Sequence, residues 1–265
     1  MQTLCHLTPV VVDKMRRPKR KTSAQVLILA AIAIALILVS TEVYVFQLSQ
    51  DSLSENLSSP NDFATNVKLS SRNLLIGLVS NISKDKDDQI LEPALERWIA
   101  FIIDNYYLGE CTARFELCEN GSYSSGLRMD WGQDGFGITS ASVGFQMNLT
   151  GDKGDVAVYY SVNTTTSLSV YSSSVSLNAN RRLVNVRSDV SNEGGPALAR
   201  NLVVHHKGLG DWSDASLSEA YRQDDFGNGT YQASFILEDL VTEVSVLCCD
   251  SRDILVQTNA TCRED

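Results

Sequence analysis

Histidine is scarce in this chain, three among 265 residues. Only His205 and His206 follow the long apolar run, and they are adjacent. A Ser-His-Asp triad therefore has one place to form, and no G-x-S-x-G elbow accompanies it. The chain also lacks a P-loop, a G-x-G-x-x-G after a strand and an H-E-x-x-H. No C-x-x-C or Cys/His spacing supports a zinc site. Residues 85–88 lack the alternating acids, glycine and later Glu of a calcium loop, so they read as a solvated turn. The pair His205-His206 reads as a surface pair on a strand. These absences predict a non-enzymatic chain with no cofactor and no metal.

Basic residues are sparse beyond residue 48. Residues 49–265 hold 16 basic against 30 acidic side chains. An acidic body offers few counterion-release contacts, which excludes a nucleic-acid partner. The acids offer many carboxylate pairs, but nothing singles one out, and they read as a solvated exterior. The remaining cations concentrate at the other end. Residues 1–23 carry Lys14, Arg16, Arg17, Lys19, Arg20 and Lys21 against Asp13 alone.

Residues 26–39, VLILAAIAIALILV, are apolar without a break. Extended from Ala24 to Leu48, the segment is long enough at about 1.5 Å per residue to cross a roughly 30 Å hydrocarbon core. Glu42 then falls near the outer boundary, and Tyr44 and Phe46 suit an interfacial position. The basic cluster places residues 1–23 in the cytoplasm and residues 49–265 outside. The expectation is a single-pass cell-membrane protein with the lipid bilayer as its first partner. Three readings of the segment compete: an uncleaved signal anchor, which is preferred; a cleaved signal, for which no A-x-A site follows the run; and a processed anchor. For the last, Lys21-Thr22-Ser23-Ala24-Gln25 before the apolar run resembles a class III, prepilin-like signal. That resemblance implies cleavage after Ala24, a mature start at Gln25 and a pilin-like filament subunit. Thr22 and Ser23 depart from its pattern, because the basic residue usually adjoins the small one.

Seven N-x-S/T sequons begin at Asn56, Asn81, Asn120, Asn148, Asn163, Asn228 and Asn259, all on the expected outside. They predict a glycosylated exterior. Five of six cysteines lie there too: Cys111, Cys118, Cys248, Cys249 and Cys262. Exterior cysteines usually pair, so disulfides are expected. If residues 112–117 are extended, Cys111 and Cys118 stand about 23 Å apart and must bond elsewhere, to Cys248/Cys249 and Cys262. A turn between them would allow a local bridge instead. An odd count leaves one thiol over, or one bond between chains.

Fifteen of sixteen glycines lie at or after Gly109. Before it the period is helical: Val67, Leu74, Leu75, Leu78, Val79 and Ile82, then Leu91, Leu95, Trp98, Ile102 and Tyr106. Residues 49–110 thus predict a helical stalk or hairpin. From Cys111 the period is two, with strands expected at 112–117, 126–131, 141–149, 156–162, 167–170, 183–191, 201–206, 230–237, 243–248 and 254–258. The predicted class is α+β overall, with residues 111–265 an antiparallel sandwich.

Two stretches carry a further likeness. Residues 184–204, VNVRSDVSNEGGPALARNLVV, resemble CARDB-like immunoglobulin-fold modules. Residues 224–235, DDFGNGTYQASF, resemble the strand entry of bacterial Ig-like domains. Together they imply an Ig-like module over residues 183–262 and say almost nothing of function. The whole chain is similar to archaeal single-pass surface proteins with a basic tail, an apolar segment, a helical stalk and a glycosylated β head. That likeness predicts adhesion, envelope scaffolding or protein–protein contact, through other surface proteins or self-association. A surface carbohydrate-binding protein or hydrolase is the alternative from another class. It would need a concave site near Trp131 or Trp212, with a glycan ligand stacked on the Trp131–Phe136 loop.

Overall fold

The computed structural model describes residues 59–264 except 153, 179, 180, 209, 239 and 240. The basic tail, the apolar segment 24–48, Cys5, Asn56 and the processing site Ala24/Gln25 lie outside the described residues. Among the described residues no helix is long and apolar enough to cross a membrane.

Helix α1 is Pro60–Asp85. Ser59 caps it, its hydroxyl accepting from the Asp62 N–H, and Pro60 sits at the first helical position, where a missing N–H costs nothing. Lys86, in the left-handed region, ends it by donating its N–H to the Ile82 carbonyl. One 3₁₀ turn, Asp88–Ile90, leads into α2, Leu91–Asn105. Leu75, Val79 and Ile82 of α1 and Leu91 and Leu95 of α2 form one apolar stripe, and it needs a surface to bury against.

That surface is a sheet. In chain order the strands are β1 (Gly109–Leu117), β2 (Leu127–Trp131), β3 (Phe136–Gly151), β4 (Val156–Asn178), β5 (Arg181–Asn192), β6 (Gly195–Pro196) and β7 (Ala199–Lys207). They continue as β8 (Trp212–Asp214), β9 (Glu219–Asp225), β10 (Thr230–Leu237), β11 (Glu243–Asp250), β12 (Leu255–Thr261) and β13 (Arg263–Glu264). The larger sheet runs β1-β3-β4-β5-β10-β9, with β2 beside β3, β6 beside β5 and β13 beside β4. The smaller runs β12-β11-β7-β8. All pairings are antiparallel except β13 with β4. The fold is therefore mostly antiparallel sheet with two helices.

The two longest strands, β3 and β4, set the layout. One end of their inner face carries Ala141, Val143, Phe145 and Val162 under the helix pair. The other end carries Leu168 and Val170, which join Val184, Val186, Tyr231 and Phe235 beneath Val204, Val244, Val246 and Val256 of the smaller sheet. One face of the large sheet thus has two covers side by side. The helices of the region expected as a stalk or hairpin form one of them, and residues 59–265 form one compact unit. Phe235 is fully buried, a burial that stabilises by roughly 1.5–3 kcal/mol.

A buried charge pins the smaller sheet to the larger. The Asp250 side chain is 0% exposed. Its Oδ1 accepts from the N–H groups of Arg252 and Ile254, closing the β11–β12 turn. Its Oδ2 accepts from Thr166 Oγ1 on β4 and from Arg252 Nε, each at 2.8 Å. Arg252 reaches on to Glu193 and to the Thr165 carbonyl. The same turn meets α1, where Ser80 Oγ donates to the Asp253 carbonyl and the Leu255 N–H donates to Ser83 Oγ.

The structure departs from the expected strands in one instructive way. Segments 156–162 and 167–170 are parts of a single 23-residue β4. Its inward positions 164, 166, 172 and 174 are buried Thr and Ser, which hide the apolar alternation.

Candidate functional site

The outer face of the large sheet has no covering layer. Arg114, Asn148, Tyr159, Asn163, Tyr171, Arg187 and Gln232 are exposed on it. Tyr123, from the loop between β1 and β2, shields one spot by hydrogen bonding to Ser140. Near β1 the polar groups satisfy one another: Arg114 Nε donates to Gln146 Oε1, and Gln146 Nε2 donates to Tyr159 Oη.

The other end of this face holds a groove of about 560 Å³. Its cause is strand length. β3 begins at Phe136, opposite Ser169 of β4, and β13 takes the same edge of β4 only from Ser173. Gly135, at φ 82, turns the chain away, and its carbonyl accepts the Val170 N–H. A Cβ there would fall 2.4 Å from the Val170 oxygen, so the turn requires glycine. Around the gap stand Asp134, Phe136, Tyr171, Asn185, Arg187, Gln232 and Arg263.

The register explains the lining. Tyr171 pairs with Arg187, and Arg187 with Gln232, so the three form one outward row across β4, β5 and β10. Phe136 is 41% exposed and Tyr171 64%. Arg187 is held by Asp189 through Nε and Nη2. The groove continues into a second hollow of about 270 Å³ that includes Phe226, 58% exposed, and Asn228.

Other residues singled out in the sequence have structural roles or stand apart. Trp131 donates its indole N–H to Thr139 Oγ1, and Lys86 Nζ lies 4.9 Å from its ring centre. It joins the covered side, and Phe136 is the exposed ring of that loop. Trp212 lies on β8 with Lys207 Nζ 5.7 Å from its ring centre. His206 Nε2 lies 3.3 Å from Ser218 Oγ. Among the described residues no carboxylate is hydrogen-bonded to His206 to complete a triad, and the Asp214 Oδ1 accepts the Ser216 N–H. Burial lowers the His206 pKa, His205 adds to that, and Asp214 opposes it. No group of three His, Cys, Asp or Glu among the described residues is placed to hold a metal ion.

All five described cysteines are free thiols, so the expected disulfide framework is not formed in this structure. The extended β1 separates Cys111 from Cys118 by about 23 Å and removes the local bridge. Cys262 donates its N–H to Thr242, six residues before Cys248, which puts those two roughly 20 Å apart. Burial pushes the Cys248 thiol up to about 12, helped by Cys249 and Asp250, and burial also raises Cys111 and Cys249.

Among the sequons, Asn81 is exposed on α1, Asn148 on β3 and Asn163 on β4. Asn120 is exposed in the loop after β1, where its side chain accepts two backbone N–H groups, and Asn228 is exposed in the β9–β10 turn. Asn259, on β12, differs: its Oδ1 is buried without a partner.

Sequence reasoning did not single out Tyr171, Gln232 and Arg263. Their signal is the even spacing of polar side chains between inward apolar ones on β4, β5 and β10, visible only once the pairing is known. No protein-family model, curated protein or solved structure matches this chain.

Proposed function

We propose that this is a membrane-anchored, non-enzymatic recognition protein of the cell surface, its N-terminus inside and its acidic body outside. The observation that carries this reading is the uncovered outer face of the large sheet and its groove. Strand order supports an Ig-like identity for residues 183–262, extended back to β4. The order β4-β5-β10-β9 facing β12-β11-β7-β8 corresponds to the A-B-E-D and G-F-C-C′ sheets of that fold. Such sandwiches serve contact through exposed faces and loops.

The test is protease treatment of intact cells, with mapping of the mature N-terminus. The expected result is loss of the body to external protease and a chain that starts at Met1 or Gln2. A body protected in intact cells overturns the reading. A start at Gln25 replaces the anchored form with the prepilin-like one.

A further inference from the structure

We propose that the groove between Phe136 and Arg263 binds an acidic saccharide chain. This rests on the reading of the open face as the recognition surface, and it names what that face takes.

The lining favours a hydroxyl-rich ligand with apolar faces. Tyr171 lies two residues along β4 from Ser169, the partner of Phe136, so the two positions are diagonal neighbours whose Cα atoms lie roughly 7–8 Å apart. Rings held this way offer flat apolar surfaces to the C–H faces of sugars. The floor between them is polar. The side chains of Asn185, Gln232 and Arg263 and the Tyr171 hydroxyl have no hydrogen-bond partner among the described residues. At the other end of the same face, Arg114, Gln146 and Tyr159 satisfy one another. Amides left free beside exposed rings can donate to and accept from neighbouring hydroxyls.

Charge selects an acidic member of that class. The body carries 16 basic against 30 acidic residues, yet two guanidinium groups meet at this groove, with Asp134 at its rim the one carboxylate of the lining. Arg187 is oriented by Asp189 through Nε and Nη2, and among the described residues neither Arg187 Nη1 nor the Arg263 guanidinium has a carboxylate partner. A planar guanidinium matches a carboxylate in two-point contact. A protein partner is less suited, because a stable protein interface needs an apolar centre and about 800 Å² per side. The second hollow, with Phe226, extends the track beyond one ring and suits an oligosaccharide.

The test is titration calorimetry on the detergent-extracted full chain, both native and enzymatically deglycosylated. The probes are a galacturonic acid hexamer, the neutral galactose hexamer and hexaglutamate. The uronate hexamer should bind best, more weakly as salt rises. Tyr171→Ala should weaken binding about tenfold, the loss of one ring contact. Arg263→Gln should weaken the uronate about tenfold and leave the neutral hexamer unchanged. Tyr159→Ala, on the same face outside the groove, should change nothing. All three positions are exposed, and an unaltered melting curve confirms the fold. Absence of saccharide binding, equal binding of hexaglutamate, or full binding by Tyr171→Ala would each overturn the inference. If the body is still removed from intact cells by protease, those failures leave the surface reading standing.

Discussion

Replacing Asp250 by Ala should destabilise the body by about 3–5 kcal/mol, the range for breaking a buried ion pair from one side. The carboxylate is fully buried and accepts four hydrogen bonds. Its removal leaves the Arg252 and Ile254 N–H groups and Thr166 Oγ1 without that partner. It also leaves the Arg252 guanidinium, 15% exposed, with Glu193 as its one remaining carboxylate among the described residues. Asp250→Asn keeps an Oδ1 acceptor for the two backbone groups and loses the charge facing Thr166 and Arg252. It should cost roughly 2–3 kcal/mol. Thr166→Val removes one bond to the carboxylate and should cost about 1.5–3 kcal/mol. The assay is urea unfolding followed by the fluorescence of Trp98, Trp131 and Trp212. In a body of about 200 residues the Ala variant should melt about 6–20 °C lower. The double variant Asp250→Ala/Arg252→Met should fall short of additivity by about 1–3 kcal/mol, since it no longer strands a buried cation. An Asp250→Ala variant within about 1 kcal/mol of the parent would refute the claim that this carboxylate pins the two sheets.

Burial holds the His206 pKa below its ordinary 6.5, so the unfolded chain binds a proton that the folded chain resists. That contribution to stability is complete above pH 6.5 and is lost as pH falls through the folded value; His206→Gln should flatten the slope in denaturation measured between pH 7 and 5. Cys248, pushed up to about 12 and buried, should stay unlabelled by iodoacetamide at pH 8 until the chain is unfolded, while half-buried Cys118 and Cys262 react first in peptide mapping. Glycopeptide analysis of the native protein should find Asn120 and Asn228 modified and Asn259 bare, because the first two are exposed and the Asn259 amide oxygen is buried.

Much of the fold is legible from local signals. The strand at 230–237 is where alternation of Tyr231, Ala233 and Phe235 puts it, and all three are buried. The helix pair follows from apolar residues three and four apart. What the sequence hides is pairing over distance. β13 joins β4 some 90 residues away, and two residues give no periodic signal. The groove exists because that late strand and β3 leave a gap on one edge. Its residues read singly as ordinary polar positions on strands. Likewise the cysteines suggest bridges by type, but the extended β1 separates Cys111 from Cys118 and the β11–β12 register separates Cys248 from Cys262.

The contact between α1 and the β11–β12 turn ties the first described element to one of the last. Ser83 and Leu255 meet across 172 residues of chain. During synthesis α1 emerges early, yet the partner for its C-terminal turn does not exist until nearly the whole body has been made. Long-range closure of this kind slows folding and lengthens the time that apolar surface stays open. Whatever machinery delivers this chain must therefore keep α1 from aggregating until residue 255 has appeared. A truncation within β12 should unsettle helices whose own sequence is intact.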